Sequence, residues 1–101
     1  MIKQFQAISD PTRFAILELL KERELPAGKI AEEFPHISRP AVSQHIRILK
    51  NSNLLWERRE GTKRIYRLRK KGFYDIYRFM EEFWDIKKEA DKKSTQDNKA
   101  A

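Results

Sequence analysis

A mainly α-helical fold with one small β-hairpin, in the order α-α-α-α-β-β-α, is predicted by three observations on this 101-residue chain. Two helix starts are marked by a capping residue followed closely by proline, Asp10-Pro11 and Ser38-Arg39-Pro40. Two alternating runs rich in aromatic and branched residues flank Glu60-Gly61-Thr62. Beyond Gly72, apolar residues recur at spacings of three and four.

Ile2, Phe5 and Ile8, three residues apart, make a short helix or a fraying arm. The second begins at Asp10, whose carboxylate suits the orphan N–H groups of a helix start. It carries Phe14, Ile16, Leu17, Leu19 and Leu20, is expected to be mostly buried, and should end near Lys21–Arg23. Pro26 opens a third helix bearing Ile30, Ala31 and Phe34, and Pro35 stops it. Ser38 caps the fourth. At about 100° per residue, Arg39, Pro40, Ser43, Gln44, Arg47, Lys50 and Asn51 share one arc of that helix. Ala41, Val42, His45, Ile46, Ile48 and Leu49 share the other, which makes His45 a partly buried structural residue before it is a phosphate contact.

Leu54–Arg59 and Lys63–Arg69 form the hairpin, with Trp56, Ile65, Tyr66 and Leu68 expected to pack it onto the helices. Gly72 breaks the pattern, and the last helix follows with Phe73, Ile76, Tyr77, Met80, Phe83, Trp84 and Lys87 in one stripe. A domain is therefore expected over 1–88, and the nearly apolar-free stretch 89–101 is expected to be a disordered tail. A short helix, a tight link and a capped polar-faced helix make a helix-turn-helix, and a hairpin directly after it is a wing. The predicted fold is a winged helix-turn-helix.

Charge is not spread evenly. Residues 1–37 are net −1 and residues 73–101 are net −1, whereas residues 38–72 hold eleven Lys/Arg against two Asp/Glu, net +9. The fourth helix has no acid between Ser38 and Asn51. A solvated helix face normally mixes signs, so this segment suits an anionic partner of the phosphate-backbone kind. Gln44 has the geometry to contact adenine, Arg39 or Arg47 guanine, and Ser43 a base or a phosphate. In the hairpin, Arg58, Lys63 and Arg64 near the tip should reach further than Arg67 or Arg69, with Arg59 and Thr62 beside them.

Other classes fit poorly. No apolar run approaches the roughly 18 residues of a membrane span, and no signal-peptide pattern opens the chain. The absence of cysteine excludes disulfides and thiolate metal sites and fits a reducing compartment, so a cytoplasmic location is expected. Nucleophile elbows, phosphate-binding glycine loops and zinc-protease helices are missing, so no enzyme activity and no cofactor are expected. His36 and His45 without cysteine make a metal site improbable.

The run Ala7-Ile8-Ser9-Asp10-Pro11-Thr12-Arg13-Phe14-Ala15-Ile16-Leu17, followed by Ile37-Ser38-Arg39-Pro40-Ala41-Val42-Ser43-Gln44-His45-Ile46-Arg47-Ile48-Leu49, resembles the ArsR family of bacterial winged-helix repressors. The hairpin from Leu54 to Gly61 with Tyr66-Arg67-Leu68 is similar to that family's wing. The resemblance covers roughly residues 4–85. It implies a homodimer on a palindromic operator in its own promoter region. Many members respond to metals through a Cys-x-Cys on the third helix. The matching positions here are Pro26 and Gly28, and Asp75 is followed two places on by Tyr77 rather than histidine. The chain therefore looks most like the autorepressor subgroup without metal-binding cysteines, which implies a regulatory protein partner.

The expected sites follow. Ser38, Arg39, Pro40, Ser43, Gln44 and Arg47 form the reading surface, and Arg58, Arg59, Thr62, Lys63 and Arg64 the wing contact. Ile2, Phe5, Phe73, Ile76, Tyr77, Met80, Phe83 and Trp84 form a dimer face, because an aromatic stripe left over from a small core usually meets a second copy. Three alternatives stay open: a metal- or ligand-responsive repressor, an RNA-binding winged helix, and a protein-interaction module with an acidic partner.

Overall fold

The computed structural model describes residues 2–83. Its elements are α1 (Ile2–Ile8), α2 (Pro11–Leu19), β1 (Leu25–Pro26), α3 (Ala27–Glu32), α4 (Arg39–Asn51), β2 (Leu55–Glu60), β3 (Lys63–Leu68) and α5 (Lys70–Phe83). The expected order stands, with one strand added. Trp84 and the 89–101 tail lie outside the described residues.

Both predicted caps are in place. Asp10 Oδ2 accepts from the Arg13 amide at 3.0 Å, and Ser38 Oγ accepts from the Ala41 amide at 3.2 Å. Each satisfies a donor that the helix itself cannot.

The core lies between α2, α4 and the base of the hairpin. Ile16, Ile30, Leu49 and Leu54 are fully enclosed, with Leu20, Val42, Ile46 and Leu55 barely less so. Each such side chain contributes about 1.5–3 kcal/mol of burial free energy. Because α4 supplies Val42, Ile46 and Leu49, its rotation about its own axis is fixed, and with it the direction of its polar arc.

The sheet is three-stranded and antiparallel in the order β1-β3-β2. β1 was read from sequence as a helix opening. It pairs Leu25 with Tyr66 and Pro26 with Ile65, and Pro26, lacking an N–H, is tolerated because β1 is an edge. Pro26 is at the same time the N-cap position of α3. The hairpin pairs Glu60 with Lys63, leaving Gly61 and Thr62 as a two-residue loop. Gly61 has φ +61°, at the position where a type II′ turn takes glycine.

Four further expectations are corrected. The last helix does not wait for Gly72 but starts at Lys70, and Gly72 sits inside its first turn, where a Cβ would meet the Asn53 carbonyl oxygen at 2.0 Å. Phe14 is 49% exposed, so α2 is less buried than its sequence suggested. Trp56 is 42% exposed. Its register partner is Arg67, on the face opposite the buried Leu55–Leu68 pair, so it cannot anchor the hairpin. Phe73 and Ile76, assigned to a dimer face, pack against the chain's own core.

Candidate nucleic-acid interface

Along α4, Arg39, Pro40, Ser43, Gln44, Arg47, Lys50 and Asn51 are all exposed, as the wheel requires for a reading face. Arg47 Nη1 donates to Gln44 Oε1 at 3.2 Å, so two of the expected readers lie side by side one turn apart. His45 is partly buried on the other side.

A cleft of about 310 Å³ separates this face from the wing, lined in part by Ser43, Arg47, Lys50, Asn51 and Arg64. Its one carboxylate is Glu57, which is fully occupied. Tyr66 Oη donates to Glu57 Oε2 at 2.7 Å, and Lys50 Nζ donates to Oε1 at 3.2 Å. The Tyr66 hydrogen bond, then Lys50, hold the Glu57 carboxyl below its ordinary range. Burial, then Glu57, push the Tyr66 phenol up to about 12. Lys50 and Glu57 thus link the end of α4 to β2. Sequence reading placed Lys50 on the polar arc but found no role for Glu57, whose signal was its position as the lone acid between Ser38 and Arg59.

The wing has two faces. Tyr66, Glu57, Leu55 and Leu68 share the face toward the helices, and by alternation Arg59 and Arg64, which are directly paired, share it too. Like charges opposite each other destabilise a sheet unless an anion lies between them. Arg59, Thr62, Lys63 and Arg64 are exposed at the tip. Arg58 differs: Nη1 donates to Glu24 Oε2 at 2.5 Å and Nη2 to Glu60 Oε2 at 2.6 Å, so this wing cation has carboxylate partners within the chain. On the same outer face, the Arg69 and Arg67 guanidiniums lie 4.1 and 5.9 Å from the Trp56 ring centre.

The residues expected at a dimer face differ in exposure. Ile2, Phe5, Tyr77 and Met80 are exposed large apolar residues, and Tyr74 and Phe79 join them. Phe5 and Phe79 pack edge to face at 5.8 Å. Phe83 is the last residue of α5. Ile2, Phe5 and Phe79 line a groove of about 640 Å³ between α1 and α5, rimmed by Asp75, Arg78 and Glu82. Tyr74 and Phe79 were missed because the apolar surface of α5 is wider than one stripe.

Among the described residues, no three or more His, Asp or Glu side chains gather as metal ligands, and no helix is long and apolar enough to cross a membrane.

An exposed basic helix linked to a basic wing defines a winged-helix DNA-binding regulator. The family model described as bacterial regulatory protein, arsR family, matches residues 10–55. The chain is 40% identical over 82 residues to the HTH-type transcriptional regulator Rv2034 of Mycobacterium tuberculosis, spanning 81% of this chain and 76% of that one. It is 43% identical over 79 residues to the transcriptional repressor SdpR of Bacillus subtilis, spanning 78% and 87%. A crystal structure of an ArsR family transcriptional regulator superimposes with a TM-score of 0.78 at 26% identity, covering 85% of this chain and 88% of that one. The chain belongs to the ArsR family of DNA-binding transcriptional regulators, and that family membership, not a missing motif, sets enzyme activity aside.

Proposed function

We propose that this protein is a homodimeric transcriptional repressor that binds a palindromic operator, of the autorepressor type and without a metal cofactor. The observation that carries the reading is the acid-free arc of α4 facing the Arg59–Arg64 pair of the wing. Gln44, Arg47, Arg39 and Ser43 read base edges in the major groove, while Ser38 and Pro40 set the start of the helix. Arg59, Thr62, Lys63 and Arg64 contact adjacent phosphates. The exposed apolar surface of α1 and α5 meets a second copy, placing two α4 helices on half-sites about 10–20 bp apart. Likeness to a repressor supports the direction of regulation. With the third-helix cysteine positions held by Pro26 and Gly28, relief of repression falls to a regulatory protein partner, in the cytoplasm.

Selection of binding sites from random duplex DNA tests the reading. An enriched inverted repeat is expected. Enrichment of no symmetric site, or equal competition by structured RNA, would contradict it.

A further inference from the structure

Arg58, near the wing tip, is held by two carboxylates of its own chain. Besides its contact with Glu24, it places Nη2 and Nε at 2.6 and 3.1 Å from Glu60 Oε2. Arg58 stands on β2, its register partner Ile65 on the central strand, and Ile65 pairs in turn with Pro26 on β1. The guanidinium therefore crosses from one edge of the sheet to the other to reach Glu24, just before β1. Among the described residues, no ion pair of this kind joins Arg59, Lys63 or Arg64 to a carboxylate, although Arg64 lies close enough to Glu57 to help hold its carboxyl down.

Stability does not explain the arrangement. The side chains of Arg58, Glu24 and Glu60 are 45%, 42% and 59% exposed, and pairs this open contribute little to folding. Phosphate binding is more sensitive to a single cation. Each cation that settles on a phosphate releases a counterion and steepens the salt dependence of binding by about 0.9 in log–log slope. The Arg58 hydrogen bond holds the Glu24 carboxyl below its ordinary range.

We propose that Glu24 and Glu60 limit the sequence-independent DNA affinity of the wing by holding Arg58 off the phosphate backbone. The inference rests on the reading of the protein as a DNA-binding regulator whose wing contacts phosphate. Under it, the acids set how firmly the protein holds DNA of any sequence, leaving Arg59, Lys63 and Arg64 as the working clamp.

The test is the salt slope of the full chain on a random-sequence duplex, compared across Arg58→Ala, the pair Glu24→Gln with Glu60→Gln, and all three together. Arg58→Ala alone should leave the slope unchanged. The double acid variant should bind more tightly and steepen the slope by about 0.9, the value for one added phosphate contact. Adding Arg58→Ala should return it to the wild-type value. A flatter slope for Arg58→Ala alone would overturn the inference, since Arg58 would already sit on phosphate. So would an unchanged slope for the double variant, or a gain that survives without Arg58 and so reflects general charge removal. Wild-type binding with no salt dependence would overturn the phosphate-contact reading itself, a failure distinct from the others. Arg58→Gln, which keeps a long polar stem, serves beside Arg58→Ala should the latter fold poorly.

Discussion

Arg13 Nη1 lies 3.3 Å from His45 Nδ1, and this contact joins the helix-start motif to α4. The same Nδ1 lies 3.8 Å from Asp10 Oδ2, so the His45 ring edge faces both the Arg13 guanidinium and the Asp10 carboxylate. The same guanidinium donates from Nε to the Ala7 carbonyl at 2.8 Å and from Nη2 to the Gln6 carbonyl at 3.3 Å. Asp10 therefore caps the start of α2 while Arg13 caps the end of α1 and reaches α4. The Asp-Pro-Thr-Arg sequence is a double cap that also braces α4 on its inner side.

Arg13→Ala should destabilise the fold by about 1–3 kcal/mol, the cost of leaving partly buried acceptors without a donor. Arg13→Lys should recover only part of this, because an ammonium cannot span these partners as a planar fork does. Urea unfolding measures both. An unchanged midpoint for Arg13→Ala would show the contacts to be incidental.

Acid should loosen two joints. Asp10 is held below its ordinary value of 3.8, chiefly by the hydrogen bond from the Arg13 amide. Glu57 is held below 4.5, chiefly by Tyr66. Lowered folded values mean the stabilisation is complete above those ordinary values and is lost as pH falls through the depressed ones. Asp10→Asn and Glu57→Gln should each flatten the acid limb of the stability–pH curve. At the alkaline end the sign reverses. The raised Tyr66 value favours the folded state below pH 10.0 and that contribution fades as pH rises toward about 12. In Glu57→Gln, ultraviolet titration should find this phenol ionising at lower pH than in the wild type.

Gly72→Ala should cost stability although alanine is the better helix former by about 1 kcal/mol. The added methyl would lie 2.0 Å from the Asn53 carbonyl oxygen and 3.2 Å from Leu54 Cδ2. Asn53 already adopts φ +62° to make that turn, so the backbone has little room to yield. A loss of about 1–3 kcal/mol is expected for such overpacking, read as a lower urea midpoint. A midpoint equal to or above wild type would contradict the close approach.

Gly72 also shows what sequence could and could not disclose. Caps were legible because Asp10 and Ser38 act within three residues of themselves. The polar arc of α4 was legible because helical periodicity alone separates Arg47 from Val42 and Leu49. By contrast, β1 is two residues long and its partners Ile65 and Tyr66 lie some forty positions away, a relation no local pattern contains. Gly72 resembled a breaker because its reason for being glycine is a carbonyl on another segment. Trp56 resembled an anchor because apolar size outweighed register, yet Leu55 takes the inward place. The clasp of Glu24 on Arg58 spans 34 residues and was equally invisible.

The α1–α5 surface should hold a dimer. Tyr77, 60% exposed and stacked on Tyr74 at 6.3 Å, is an exposed part of it. Tyr77→Asp should place charge in an apolar interface and shift the protein toward monomer in sedimentation equilibrium. It should leave the helical circular dichroism of the protomer nearly unchanged, since the side chain adds little to the monomer core. A variant that remains dimeric would move the interface elsewhere.

The central claim is that the outward arc of α4 reads bases while the wing supplies sequence-independent affinity. The affinities of Gln44→Ala and Arg47→Ala for a selected operator and for a random duplex of equal length test it most directly. Each variant should lose about 1–3 kcal/mol on the operator and far less on random DNA. An equal loss on both would contradict the claim, reducing Gln44 and Arg47 to contacts that hold DNA without reading it.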